Sequence, residues 1–153
     1  MTYDPNRMDQ KGREAAYGQV WVTAGLSVVM LASNFAPLGA QVEGFCGLIV
    51  GAWFLTFALY NRFDDYFMGL VKVGAIWSLA LLGLWMAVQG LVSVFEGFYG
   101  IGYTAAGAQL PPDDATFPLP DKFNSAWLLA SACAAAFFAG FLYTHHRGSG
   151  EIA

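Results

Sequence analysis

Charge is scarce in this sequence. Asp, Glu, Lys and Arg together make up 12% of its 153 residues, about half the roughly 25% of a typical soluble domain. So few charges cannot cover a water-facing surface, which argues against a soluble globule. The formal net charge is only -4, and no basic cluster points to nucleic acid as a partner.

Histidine and cysteine are scarcer still. His145 and His146 adjoin each other near the C-terminal end, and no other histidine is present. With none inside an apolar stretch, a haem held by two histidines has no ligands in this chain. A bacteriochlorophyll held by a buried histidine meets the same objection. Cys46 and Cys133 are the only cysteines. In the membrane arrangement derived below they differ in depth by roughly 9 Å. That exceeds the about 4.4–6.8 Å between the Cα atoms of a disulfide, so both are expected to be free. The sequence has no Gly-rich phosphate loop with Lys, no CxxC, no HExxH and no Ser/His/Asp set in one compartment. Asp113, Asp114 and Asp121 lack the spacing of a calcium loop and read as a solvated acidic turn. A non-catalytic role is therefore expected, with no cofactor held through this chain's own ligands.

Long apolar runs are what the sequence has instead. Hydrophobic residues make up 57% of the chain, and the mean hydropathy is +0.49. A bilayer core of about 30 Å is crossed by roughly 20 apolar residues in a helix. Four stretches meet that length, at 18–38, 44–60, 69–96 and 125–144. None has the broad polar face of a soluble helix. The fold class expected is an all-α membrane protein, one domain of four transmembrane helices. The opening "MTYDPNRMDQKGREAAYG" is a polar tail with both charge signs, unlike the basic lead of a signal peptide. The first apolar run is thus expected to stay as a membrane anchor.

Lys and Arg in short loops set orientation. Arg7, Lys11, Arg13, Arg62, Lys72 and Arg147 fall on one side of the four-helix arrangement, and Lys122 alone on the other. Both tails, 1–17 and 145–153, are expected to be cytoplasmic, with the loop at 97–124 on the outer face. In a bacterium that is the inner membrane, with the loop in the periplasm. Tyr17, Trp21, Tyr60 and Tyr143 then lie near the inner interface, and Tyr99, Tyr103 and Trp127 near the outer one, levels that such rings favour.

One carboxylate breaks the third run. Counting about 20 residues outward from Lys72 puts Glu96 at or beyond the membrane boundary, where a charge costs far less than at the midplane. Gln89, Ser93 and Glu96 are spaced i, i+4, i+7 and share one helix face. That face is expected to meet another helix or subunit, because polar groups in hydrocarbon seek partners.

Small residues mark where helices approach closely. The second run has Gly47 and Gly51 in a GxxxG pair. The third has Gly83, Gly90 and Gly97 at heptad spacing. The fourth has Ala126, Ala130 and Ala134 on one face, and Ala132, Ala136 and Gly140 on another. These positions are the expected packing and partner contacts. The first two helices faintly echo the last two. Residues 29–61 loosely resemble small membrane proteins built from SPW repeats, but this chain reads Ser33-Asn34-Phe35-Ala36-Pro37 where they carry Ser-Pro-Trp.

Prolines at 111, 112, 118 and 120 forbid a continuous helix in the outer loop. Loops longer than about 12–15 residues are usually functional or disordered. Tyr99, Tyr103 and Phe117 are the loop aromatics expected to lie against a partner. Three functions are then open. The first is a structural accessory subunit of a larger energy-transducing membrane complex, photosynthetic or respiratory. Its partners would be other integral-membrane subunits and lipids, with lipid, quinone or carotenoid contacts. The second is a small oligomeric transporter or channel, and the third a membrane assembly factor.

Overall fold

The computed structural model describes residues 10–36, 38–59, 63–107 and 121–150. Within them lie four α-helices: α1 (Gln10–Ser33), α2 (Ala40–Leu59), α3 (Asp65–Ala105) and α4 (Ala126–Gly150). A short 3₁₀ turn, Asp121–Asn124, leads into α4. All four α-helices are long and apolar enough to cross a membrane. The chain is thus an all-helical protein of the multi-pass membrane type.

All but the last helix start before the apolar stretches that announce them, and the last two run on past them. α1 starts at Gln10 rather than 18 and stops at Ser33, short of 38. α2 starts at Ala40 and α4 continues to Gly150. The largest difference is in α3. It runs on through residues 97–105, which the sequence reading places in the outer loop. Apolarity reports what lipid can hold, whereas a helix goes on until its backbone bonding is broken.

Local chemistry explains those ends. Asp64 caps α3: its carboxylate accepts from the Phe67 amide at 2.7 Å, satisfying one of the amides a helix start leaves free. Gly107 ends the same helix in the left-handed region, at φ 73°, where only glycine is comfortable. Gly39, at φ 95°, makes the turn between α1 and α2, and its carbonyl accepts from Val42 and Glu43.

The helices run alternately up and down. The starts of α1 and α3 and the end of α4 therefore gather at one end, the terminal end. There the rings of Tyr17 (α1), Phe57 (α2), Phe67 (α3) and Phe141 (α4) meet. Phe67 lies 5.5 Å from Tyr17, 5.9 Å from Phe57 and 5.2 Å from Phe141, between centroids. Phe63 stacks on Phe67 at 4.6 Å. Edge-to-face and offset pairs at such distances are favourable beyond simple burial. This aromatic knot joins all four helices.

Candidate functional site

α3 and α4 form the closest pair, and glycine makes the approach possible. A Cβ on Gly74 would come 2.7 Å from the Phe137 carbonyl oxygen. A Cβ on Gly140 would come 2.7 Å from the Trp77 ring. Next along the pair, beyond both contacts, the Ser78 hydroxyl donates to the Cys133 carbonyl at 2.6 Å. Each helix thus offers a glycine to the other's aromatic side chain.

The pair closes with a clasp at the far end. Gln89 Nε2 donates to Asn124 Oδ1 at 3.0 Å. Phe123 stacks on Trp85 with centroids 6.1 Å apart. Both partners come from the turn that opens α4, so α4 accompanies α3 only as far as Gln89.

Beyond that clasp no element among the described residues accompanies α3. At 1.5 Å per residue its 41 residues span about 60 Å, twice the bilayer core of about 30 Å. Residues 90–105 are exposed except for Val92, Gly100 and Tyr103, which are half-buried. Leu91, Val94, Phe95, Phe98 and Ile101 all point outward, Phe98 with 70% of its surface free. The only charge on this arm is Glu96, also exposed. Apart from Ser93, Glu96, Thr104 and the two tyrosine hydroxyls the arm is apolar, and most of it is left exposed by the described residues.

The residues singled out by spacing fall into three places. Gln89 makes the clasp, and Ser93 donates to the Gln89 carbonyl one turn back at 3.0 Å. Glu96, Tyr99 and Tyr103 lie on the arm, with the two tyrosine rings 5.5 Å apart. Gly83 and Gly90 face open space, since a Cβ on either meets nothing within 4 Å. Gly47 receives the Trp127 ring, which a Cβ would meet at 2.7 Å. Gly51, Ala130 and Ala134 line an open apolar cleft of about 490 Å³ between α2 and α4. Ala126 is exposed at the start of α4. Phe117 and the loop prolines lie outside the described residues.

Several contacts have no signature in spacing. Arg13 pairs with Asp64 at 3.0 Å, joining the starts of α1 and α3. His145 stacks on Tyr17 at 4.8 Å, and His146 meets Trp21 edge-on at 5.9 Å. Asn34 Nδ2 donates to the Met30 carbonyl at 2.9 Å and to Ser131 Oγ at 3.1 Å, tying the end of α1 to α4. A signal that could have pointed to Asp64 is its type, a good N-cap residue a few positions before the third apolar run.

The buried hydroxyls are occupied locally. Thr23, Ser27, Ser33 and Ser131 donate to carbonyls three or four residues earlier in their own helices. Cys46 and Cys133 are free thiols. Among the described residues no three His, Cys, Asp or Glu side chains are grouped to hold a metal ion. No protein family matches this chain, and neither does any curated protein or solved structure.

Proposed function

We propose that this chain is a non-catalytic structural subunit of a larger integral-membrane complex. The observation that carries the reading is the largely exposed apolar arm of α3, residues 90–105. Exposed contiguous apolar surface of this kind marks an interaction site. Lipid covers one bilayer core's length of the helix, and the remaining length calls for protein. Glu96, Tyr99 and Tyr103 would lie in that contact, as would Phe117 from the adjoining loop. The cleft between α2 and α4 suits one apolar chain of a lipid, quinone or carotenoid.

The host we favour is an energy-transducing complex, photosynthetic or respiratory, in a bacterial inner membrane. The distribution of Lys and Arg supports cytoplasmic termini. Small polytopic subunits suit such hosts. A transporter would expect polar groups aimed at a path near the midplane. Here the hydroxyls of Ser27 and Ser131 bond back to their own helices, which favours packing over transport.

The test is a mild-detergent pull-down of the tagged native protein, with mass spectrometry and an absorption spectrum of the same fraction. Stoichiometric recovery with reaction-centre, antenna or oxidase chains is the expected result. Recovery of this chain alone and colourless would sink the reading and favour the transporter. Binding only to immature complexes would identify an assembly factor.

A further inference from the structure

α2 and α4 stand near each other without packing closely. Helix contacts in the bundle run instead from α1 to α2, and from α4 to α1 and α3. Side chains bridge the gap at two levels. The Trp127 ring lies on Gly47. Phe54 meets Phe137 and Phe138 with centroids 5.0 and 5.8 Å apart. These levels are seven residues apart on α2, about 10 Å. The cleft of about 490 Å³ lies along this stretch, within the roughly 300–1,000 Å³ of small-molecule sites. Gly44 and Leu48, both exposed, stand at its rim. A molecule dissolved in the bilayer can therefore enter from the side.

One polar atom marks this cleft. Trp127 Nε1 is buried and has no hydrogen-bond partner among the described residues. A buried indole N–H normally finds an acceptor, and leaving it without one is costly. It is also the only side-chain hydrogen-bond donor among the residues that line the cleft. An indole nitrogen donates and cannot accept, so the ligand has to bring an acceptor, which a pure hydrocarbon lacks. With the ring resting on Gly47 the nitrogen is covered, so an acceptor engages it as the ring tilts off that glycine.

Charge narrows the class further. No Lys, Arg or His lines the cleft, so it offers no cation to a phosphate. Glu43 stands one turn before Gly47 on the same face of α2, half-buried, where it would repel an anionic headgroup. What remains is a neutral carbonyl head on an apolar body. The rings of Trp127 and Phe54 at the two levels suit a planar head. We propose that the cleft holds a quinone, with a ring carbonyl accepting from Trp127 Nε1 and the tail leaving through the open side into the bilayer. The assignment rests on the reading of this cleft as an apolar-ligand site, and it does not require the larger complex.

Proton–nitrogen spectra of the ¹⁵N-labelled full-length chain test it, in alkyl maltoside micelles, whose detergent carries no carbonyl. The five tryptophans give five indole signals, assigned by replacing each in turn with Phe. Decyl-benzoquinone should shift the Trp127 signal saturably and leave that of Trp85 in place. Decylbenzene, with the same tail and no acceptor, should not shift it. A Cβ on Gly51 meets nothing within 4 Å, so Gly51→Leu should fill the cleft, weaken quinone binding at least tenfold and leave circular dichroism unchanged. Ala130→Leu, from the opposite wall, should do the same. Equal shifts with decylbenzene and the quinone would overturn the need for an acceptor, and the quinone with it. A shift with dihexanoyl phosphatidylcholine but not with the quinone would overturn the assignment in favour of a lipid ester. No shift with any probe would overturn the cleft as a ligand site. Recovery of partner chains in the pull-down stands or falls independently of all these outcomes.

Discussion

Asp64 serves two partners at one helix start. One oxygen accepts from the Phe67 amide and the other pairs with Arg13. The two contacts should differ in weight. Arg13 is 51% exposed in its side chain, Asp64 only 13%, and ion pairs with an exposed member contribute about 0–1 kcal/mol. An N-cap carboxylate is worth about 0.5–2 kcal/mol. Thermal unfolding in detergent should therefore show Asp64→Ala to be more destabilising than Arg13→Gln. Asp64→Asn, which keeps the cap and loses the charge, should resemble Arg13→Gln. If Arg13→Gln proves the worse of the two, the ion pair dominates and the cap account fails. The far clasp is weaker. Its Gln89–Asn124 bond is exposed, and removing either partner should cost about 1 kcal/mol or less.

Between helices, the α3–α4 interlock separates two kinds of glycine. Gly74→Ala would drive a Cβ into the Phe137 backbone oxygen, an atom that cannot move without its helix. It should lower the melting temperature and loosen the pair. Gly83→Ala meets nothing within 4 Å. In a single copy it should be neutral or stabilising by up to about 1 kcal/mol, the helix-propensity difference between the two residues. Melting curves of the two variants in detergent decide this, and equal loss in both would refute the interlock. The same pair shows what could be read from the sequence. Four apolar runs of sufficient length fix the number and type of helices. They do not say which of 18 glycines meets a neighbour, because that depends on each helix's rotation. Gly74 and Gly83 sit in similar company, yet one touches Phe137 and the other faces away. Helix ends were hidden for a related reason. Residues 10–17 are polar and residues 97–105 rich in glycine, yet both stay helical because nothing interrupts their backbone bonding. The contact of Tyr17 with His145 joins residues from opposite ends of the chain, and no local pattern encodes it.

At the scale of the whole molecule, α3 continues from the bundle into a length that no other described helix accompanies. Isolated helices shorter than about 12–15 residues are marginal in water, and α3 past Gln89 is scarcely longer. Amide exchange on the detergent-solubilised single copy should show strong protection from Leu70 to Trp85, then a steep fall through Phe98 to Tyr103. In native membranes the same amides should be protected by whatever covers them. Uniform protection along α3 of the purified single copy would mean that the arm is stable alone, and the need for a covering partner would vanish.

The local bonding of the buried hydroxyls bears on how the protein is made. Thr23 and Ser27 close onto their own helix, as does Ser131. Each segment can therefore leave the translocon with these hydroxyls already satisfied. Arg13 and Asp64 can pair once α3 has begun, but the interhelical hydrogen bonds made by Asn34 and Ser78 need α4. Ser131 receives Asn34, and the Cys133 carbonyl receives Ser78. Tyr17 of the first helix likewise meets Phe141 and His145 only once α4 has arrived. A ribosome stalled before residue 126 would leave the first helix without its main partner and open to quality control. Assembly of these four helices is therefore timed by the arrival of α4.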